Sequence, residues 1–228
     1  VEKGEEEAQR IASESMSVLF TTTMGVVILV ELAMPWIMNL LLGAYRDKPG
    51  IFNLAILMSQ ITMPYLIGMA LSALFAGVLN AQSKFALSAF APSMINICIL
   101  VPALIFTEPQ MAAFAASIAI LVSGFLQAAL LWYGMLRQGI RLRIMAPKLT
   151  PDVKRIMMIA LPGSLSASAV QVNILISQSL AGLEVGAKSW LAAADRLYQL
   201  PLGMIGVAVG VTILPRLSRA AAGKGNVE

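Results

Sequence analysis

Histidine is absent from this chain of 228 residues, and cysteine occurs only once, as Cys98. A single cysteine forms no disulfide within the chain, and the lack of histidine removes imidazole catalysis and Cys/His metal sites. The G-x-S-x-G, H-E-x-x-H and Walker patterns of hydrolases, metalloproteases and nucleotide-binding proteins are also missing. We therefore predict no enzymatic activity and no cofactor.

Charge is scarce as well, at 12% of residues, whereas 58% are hydrophobic and the mean hydropathy is +0.81. Soluble domains are about 25% charged and about 45–50% apolar. Six apolar stretches meet or exceed the roughly 20 residues that a helix needs to cross a bilayer. We predict an all-α, polytopic integral membrane helical bundle with six transmembrane helices. The predicted spans are residues 13–42, 51–79, 85–106, 111–136, 153–181 and 190–214.

The two ends of the chain and its basic residues predict its topology. The chain begins at Val1 with a charged segment instead of a signal peptide, so we expect an internal piece of a longer protein. Twelve of the 16 Lys and Arg residues lie in the terminal segments, the turn 80–84 and the connecting segment 137–155. Because cytoplasmic loops are enriched in Lys and Arg, both ends of this piece are predicted to be cytoplasmic. The net charge of +4 then reports topology and needs no nucleic acid partner.

The segment 137–152 alternates basic and apolar residues before two prolines. It is suited to lie on the anionic inner leaflet of a membrane. A solvated loop that only sets topology is the interpretation that we favour.

Prolines recur within or at the ends of the predicted spans. Each removes a backbone hydrogen bond and favours a bend, so we expect curved, articulated helices. The residues are Pro35, Pro64, Pro92, Pro102, Pro162, Pro201 and Pro215.

Polar side chains recur at helical spacing along the fifth span, as Ser164, Ser168, Gln171 and Gln178. Such a polar stripe avoids lipid, and it either lines a wet cavity or bonds a neighbouring helix. Glu31 lies near the middle of the first span. Its carboxyl is either protonated or paired with a polar neighbour, or it couples protons to transport.

Asp195 and Arg196 stand a few residues inside the last apolar stretch. An arginine presents a planar fork of donors that matches phosphate, so a phosphorylated membrane substrate is the first hypothesis. Asp195 points about 100° away from Arg196 on a helix, which leaves a cationic site available. We favour a cavity-lining Arg196 over an arginine that snorkels to the interface or forms a structural ion pair.

Two blocks of sequence identify a resemblance. The segment ADRLYQLPLG at 194–203, with GVA at 206–208 and ILPRLSR at 213–219, closely resembles the MurJ (MviN) family of lipid II flippases in the MOP exporter superfamily. A supporting match is GVLNAQSKF at 77–85, continuing through AFAP at 89–92 and Asn96. The spacing of the blocks also fits, so the resemblance covers the whole chain.

The resemblance implies an architecture. Family members are fourteen-helix proteins with two lobes around a cationic cavity, and this piece resembles helices three to eight. Residues 1–152 would hold the last four helices of the first lobe plus a cytoplasmic linker, and residues 153–228 the first two helices of the second lobe. Arg196 matches a cavity arginine on helix eight. Ser177 stands where some relatives have a carboxylate at a proposed sodium site, so the resemblance does not imply sodium coupling.

The resemblance also implies a function. It predicts a multi-pass flippase of the bacterial inner membrane that moves lipid II, or a similar polyprenyl-diphosphate lipid, from the inner to the outer leaflet by alternating access. Arg196 and Asp195 are the substrate-binding candidates, and a monomeric transporter is compatible with this interpretation. One alternative is another MOP exporter of a lipid-linked oligosaccharide or a drug. A membrane enzyme that acts on polyprenyl phosphates is a weaker alternative, because such an enzyme usually needs clustered acids or a histidine base. A purely structural membrane scaffold is the other weaker alternative.

Overall fold

The computed structural model describes residues 4–42, 47, 49–181, 184, 186, 187, 189–199 and 201. Every regular element in these residues is a helix, which confirms the all-α prediction. Residues 189–199 are helical as well. The other helices are α1 (Glu5–Leu41), α2 (Pro49–Thr62), α3 (Tyr65–Ala81), α4 (Phe85–Phe90), α5 (Ser93–Ile105), α6 (Pro109–Arg137) and α7 (Pro151–Ala181).

Five stretches of the described residues are helical, long enough and apolar enough to cross a membrane. They correspond to the first five predicted spans and confirm a polytopic membrane protein. The predicted sixth span, 190–214, lies mainly outside the described residues. The five spans are Glu6–Leu41, Pro49–Ala81, Phe85–Ile105, Pro109–Arg137 and Pro151–Ala181.

Two of the spans are each built from two helices, and a proline stands at each junction. Pro64 precedes α3 and separates it from α2, and Pro92 precedes α5 and separates it from α4. Proline cannot donate the backbone hydrogen bond that would continue the preceding helix. Pro35, Pro102 and Pro162 instead lie inside α1, α5 and α7. Two of the prolines at which we expected a bend therefore stand at a helix junction, whereas three are accommodated within a helix. Pro215 lies outside the described residues.

The chain divides into two compact units, residues 1–171 and residues 172–228. The division falls inside α7, which both units share. It does not test the lobe boundary predicted after residue 152, which remains a prediction. Each unit is described by itself below.

The core of the first unit lies where α3 crosses α6. Gly68 of α3 and Gly124 of α6 meet there, since a Cβ added to Gly68 would lie 2.5 Å from the carbonyl oxygen of Gly124. Small residues permit such close helix packing inside membranes. Phe75, Leu79 and Leu131 are buried beside this crossing, together with Met16 of α1.

A tight turn at the end of α6 directs the chain back toward α1. Gly139 has a φ of +78°, its N–H donates to the carbonyl of Leu136, and the N–H of Ile140 donates to the carbonyl of Met135. This is a Schellman motif, which favours glycine at the residue in the left-handed conformation. Ile140 and Met135 are both buried in the core, so the linker (residues 138–150) starts from an anchored point.

Candidate functional site

Arg196 and Asp195 lie on the helical segment 189–199, and both side chains are exposed. Arg196 is six residues after Trp190, or about 9 Å along the helix axis. No ion pair of either side chain is found among the described residues. The guanidinium is therefore presented on the helix surface, as a phosphate-binding arginine would need to be.

The predicted polar stripe lies on α7, and we call it the α7 stripe. Ser164, Ser168 and Gln171 are exposed, and Gln178 is half-buried. Its two serine hydroxyls are satisfied within the helix. Ser164 Oγ donates to the carbonyl of Ala160 at 3.0 Å, and Ser168 Oγ donates to that of Ser164 at 2.7 Å. Each hydroxyl retains lone pairs that can accept a further hydrogen bond. Both alternatives for this stripe, a wet cavity and a neighbouring helix, stay open.

Glu31 is half-buried on α1, opposite α2. The side-chain amide of Gln60 donates to the backbone carbonyl of Glu31 at 3.5 Å, not to its carboxylate. Within the part of the chain that the structure describes, the carboxylate has no hydrogen bond or ion pair. No ion pair of Glu31 is found among the described residues of the first unit, so its role remains a prediction.

A second polar stripe, not singled out from the sequence, runs along α1 and binds the linker. Gln9 Oε1 accepts from the backbone N–H of Arg141 at 3.3 Å, and Ser13 Oγ accepts from that of Arg143 at 3.0 Å. Ser17 Oγ accepts from the N–H of Met145 at 3.1 Å. We call Gln9, Ser13 and Ser17 the α1 stripe.

The bonds of the α1 stripe are regular because two repeats coincide. Its residues are four apart on a helix, which is a rise of about 6.0 Å. The donors are two apart on an extended chain, which is a rise of about 6.6 Å. The two serines also donate their own hydroxyl protons to the carbonyls of Gln9 and Ser13, so their lone pairs are directed to the linker. An extended chain therefore binds in register along one face of α1.

The side chains of residues 140–143 follow the same alternation, which ends at Ile144, an apolar residue that is 91% exposed. Ile140 and Leu142 are 3% and 6% exposed and join the core, whereas Arg141 and Arg143 are exposed. The favoured interpretation of this segment as a solvated loop is thus wrong for residues 140–145, because backbone hydrogen bonds and two apolar side chains attach it to α1. The sequence carried the signal, as polar residues every fourth position in α1 and apolar residues every second position in the linker.

Four side chains join the end of the linker and the start of α7 to α1. We call these residues, Arg10, Glu14, Thr150 and Asp152, the clamp. The carboxylate of Glu14, whose side chain is only 6% exposed, accepts from Arg10 Nη1 at 2.7 Å. Its second oxygen accepts from Thr150 Oγ1 at 2.7 Å. Arg10 also binds Glu7, and its Nη2 lies 3.7 Å from Asp152 Oδ2 in the first turn of α7.

Comparisons with known proteins agree with this membrane architecture. The family model described as lipid II flippase MurJ matches residues 1–228. A probable lipid II flippase MurJ from Rhizobium meliloti is 38% identical over 225 residues, which cover 96% of this chain and 42% of that protein. The probable lipid II flippase MurJ of Rhizobium tropici is 35% identical, with 93% of this chain and 41% of that protein covered.

The lipid II flippase MurJ of Burkholderia cenocepacia is 30% identical over 222 residues, covering 94% of this chain and 43% of that protein. The chain thus spans about two fifths of the length of these curated relatives. A family match over residues 1–228 shows that this chain belongs to the lipid II flippase MurJ family, and the five membrane-length helical stretches of its described residues agree with that.

Proposed function

We propose that the protein carrying this chain flips lipid II, a polyprenyl diphosphate bearing a glycopeptide, across the bacterial inner membrane. The observation that carries the proposal is the family match over residues 1–228. Relatives at 30–38% identity bear the name lipid II flippase or probable lipid II flippase. Flipping by alternating access makes and breaks no covalent bond, so the protein acts as a transporter and not as an enzyme.

Arg196 is the residue that we assign to the diphosphate. Its exposed guanidinium lies within an apolar stretch, where an ionisable residue signals function. Two parallel N–H groups can engage two phosphate oxygens at once, which the single ammonium of lysine cannot do. Asp195 lies beside it in sequence and contacts a different part of the same substrate.

Replacing Arg196 tests this assignment. Arg196→Ala should abolish complementation of a flippase-depleted bacterium, and Arg196→Lys should reduce it by roughly tenfold or more, since a charge-assisted hydrogen bond is worth about 1.5–3 kcal/mol. Arg155→Ala, which removes an exposed arginine near the start of α7, is the matched control and should complement normally. Protein abundance in the membrane is measured in every strain. Full activity of Arg196→Ala at normal abundance would remove Arg196 from the site.

Both ends of the chain are placed on the cytoplasmic side in this proposal. Support comes from the distribution of basic residues, of which twelve of 16 lie on one side of the predicted spans. In a Cys98→Ser background, a membrane-impermeant thiol reagent should label Lys48→Cys and Lys188→Cys in intact cells. Arg141→Cys should be labelled only after permeabilisation. The inverse labelling pattern would reverse the orientation and the proposed direction of transport.

A further inference from the structure

The clamp lies where the linker ends and α7 begins, so it joins helices far apart in sequence. Glu14 and Thr150 are 136 residues apart. Glu14 is the central group, because one carboxylate oxygen accepts from Arg10 and the other accepts from Thr150. Arg10 in turn lies within 3.7 Å of Asp152, so the first turn of α7 is connected to α1 by two routes.

Burial makes this carboxylate depend on its partners. The Glu14 side chain is 6% exposed, whereas Arg10 is 42% exposed. A carboxylate withdrawn from water is costly unless it is paired and hydrogen-bonded. Two hydrogen bonds, from Arg10 and Thr150, offset the free-energy cost of burying the Glu14 carboxylate. Movement of Thr150 away from α1 would remove one of them.

The start of α7 holds the one residue of that helix that is buried among the described residues. Val153 is 1% exposed, and every side chain of residues 154–177 is exposed. A helix of 31 residues is about 46 Å long. A tilt of about 10° at the first turn would therefore displace its far end by about 8 Å.

We propose that Glu14 is a positioning residue for transport, since its carboxylate holds the first turn of α7 at a set place on α1. This inference rests on the proposed function, in which α7 and its polar stripe take part in the transport cycle. Glu14 contacts Arg10 and Thr150 rather than the substrate, so it acts on transport through the position of α7. The clamp stays closed while substrate moves.

A covalent replacement of the clamp tests the proposal. In a Cys98→Ser background, Glu14→Cys and Thr150→Cys are combined, which removes the hydrogen bond between the two positions. Flipping of lipid II in proteoliposomes should fall about tenfold, as expected when a charge-assisted hydrogen bond is lost. A short bis-methanethiosulfonate reagent that links the two thiols should restore flipping, and reduction should abolish it again.

Single-cysteine variants treated with the same reagent are the controls and should show no restoration. A merely structural role for Glu14 predicts low abundance that later cross-linking cannot correct. Failure of the cross-link to restore flipping, or inhibition by it, would overturn the proposal. Thr150→Ser should flip normally, and Thr150→Val should match Glu14→Ala; a Thr150→Val protein with normal flipping would also overturn it.

Tryptic cleavage supplies a readout that does not depend on transport. The side chain of Arg143 is already exposed, but its backbone N–H is bonded to Ser13, so release of the linker should free this backbone for the protease. Glu14→Ala should therefore be cut after Arg143 several-fold faster than the unaltered protein. Equal cleavage rates would show that Glu14 does not hold the linker. If the unaltered protein does not flip lipid II but Glu14→Ala is cut faster, the proposed function is wrong, whereas the conclusion that Glu14 holds the linker on α1 is supported. If the unaltered protein flips and Glu14→Ala flips equally, the positioning role alone fails.

Discussion

The α1 stripe and the α7 stripe are similar in sequence and differ in what they bind. Each contains two serines four residues apart, and in each pair both hydroxyls donate to carbonyls of the preceding helical turn. On α1 the remaining lone pairs accept backbone N–H groups of the linker. On α7 the same lone pairs face outward from an exposed helix surface. A polar stripe therefore marks a surface that can be bonded, and the fold decides whether a partner of matching repeat reaches it.

The largest expected effect concerns close packing, where α7 again contrasts with the helices of the core. Gly68→Leu places a side chain against the backbone of Gly124 and should destabilise the protein by about 3 kcal/mol. A Cβ added to Gly163 on α7 meets no atom of the described residues within 4 Å, so Gly163→Leu should have little effect. Thermal denaturation in detergent, followed by size-exclusion chromatography, compares the two variants. Equal losses would mean that α7 is as closely packed at Gly163 as α3 is at Gly68.

An intermediate effect should separate the two stripes. Ser13→Ala combined with Ser17→Ala leaves two linker N–H groups without their acceptors and should destabilise the protein by about 2 kcal/mol. Ser164→Ala combined with Ser168→Ala removes only hydrogen bonds to their own helix and should change stability by about 0.5 kcal/mol or less. The same denaturation assay applies. A larger loss from the α7 pair would show that its stripe has a partner of its own.

The smallest effects are expected at two turns of the same type. Gly139 and Ser83 both have positive φ, at +78° and +61°, after α6 and α3. Gly139→Ala should destabilise the start of the linker by about 1 kcal/mol through backbone conformation alone, since an added Cβ meets nothing within 4 Å. Ser83→Gly should act in the opposite direction by a similar or smaller amount. Melting temperatures that moved in the same direction would contradict this account.

Much of the secondary structure could be predicted from local sequence. Runs of apolar residues predicted five spans that the structure contains. Prolines predicted bends, and two of them, Pro64 and Pro92, stand at helix junctions. The positions of Arg196 and of the α7 stripe on helices were predicted as well. Whether these residues bind substrate remains a prediction, because local pattern places a side chain on a helix without identifying its ligand.

The attachment of the linker could not be predicted in the same way. Its alternation of Arg and apolar residues was visible, but that pattern also fits a loop on a membrane surface. The deciding observation is the match between Ser13 and Arg143, which are 130 residues apart. Glu14 was missed for a related reason. A charged residue near the start of a helix is usually solvated, and the residue that donates to this carboxylate, Thr150, is 136 positions away in sequence.

The sequence by itself determined that this chain forms apolar helices. The hydrocarbon core of a bilayer offers no hydrogen-bond partner, so the backbone groups of a long apolar segment pair with one another inside a helix. It also marked positions where a bend is favoured, because proline lacks the backbone donor, but only the fold decided that Pro64 and Pro92 separate two helices whereas Pro35 lies inside one. Only the tertiary structure decided which polar groups are bonded to one another. The α1 stripe holds the linker because a helical repeat of four and an extended repeat of two advance by nearly the same distance, a match that exists only once the chain has folded.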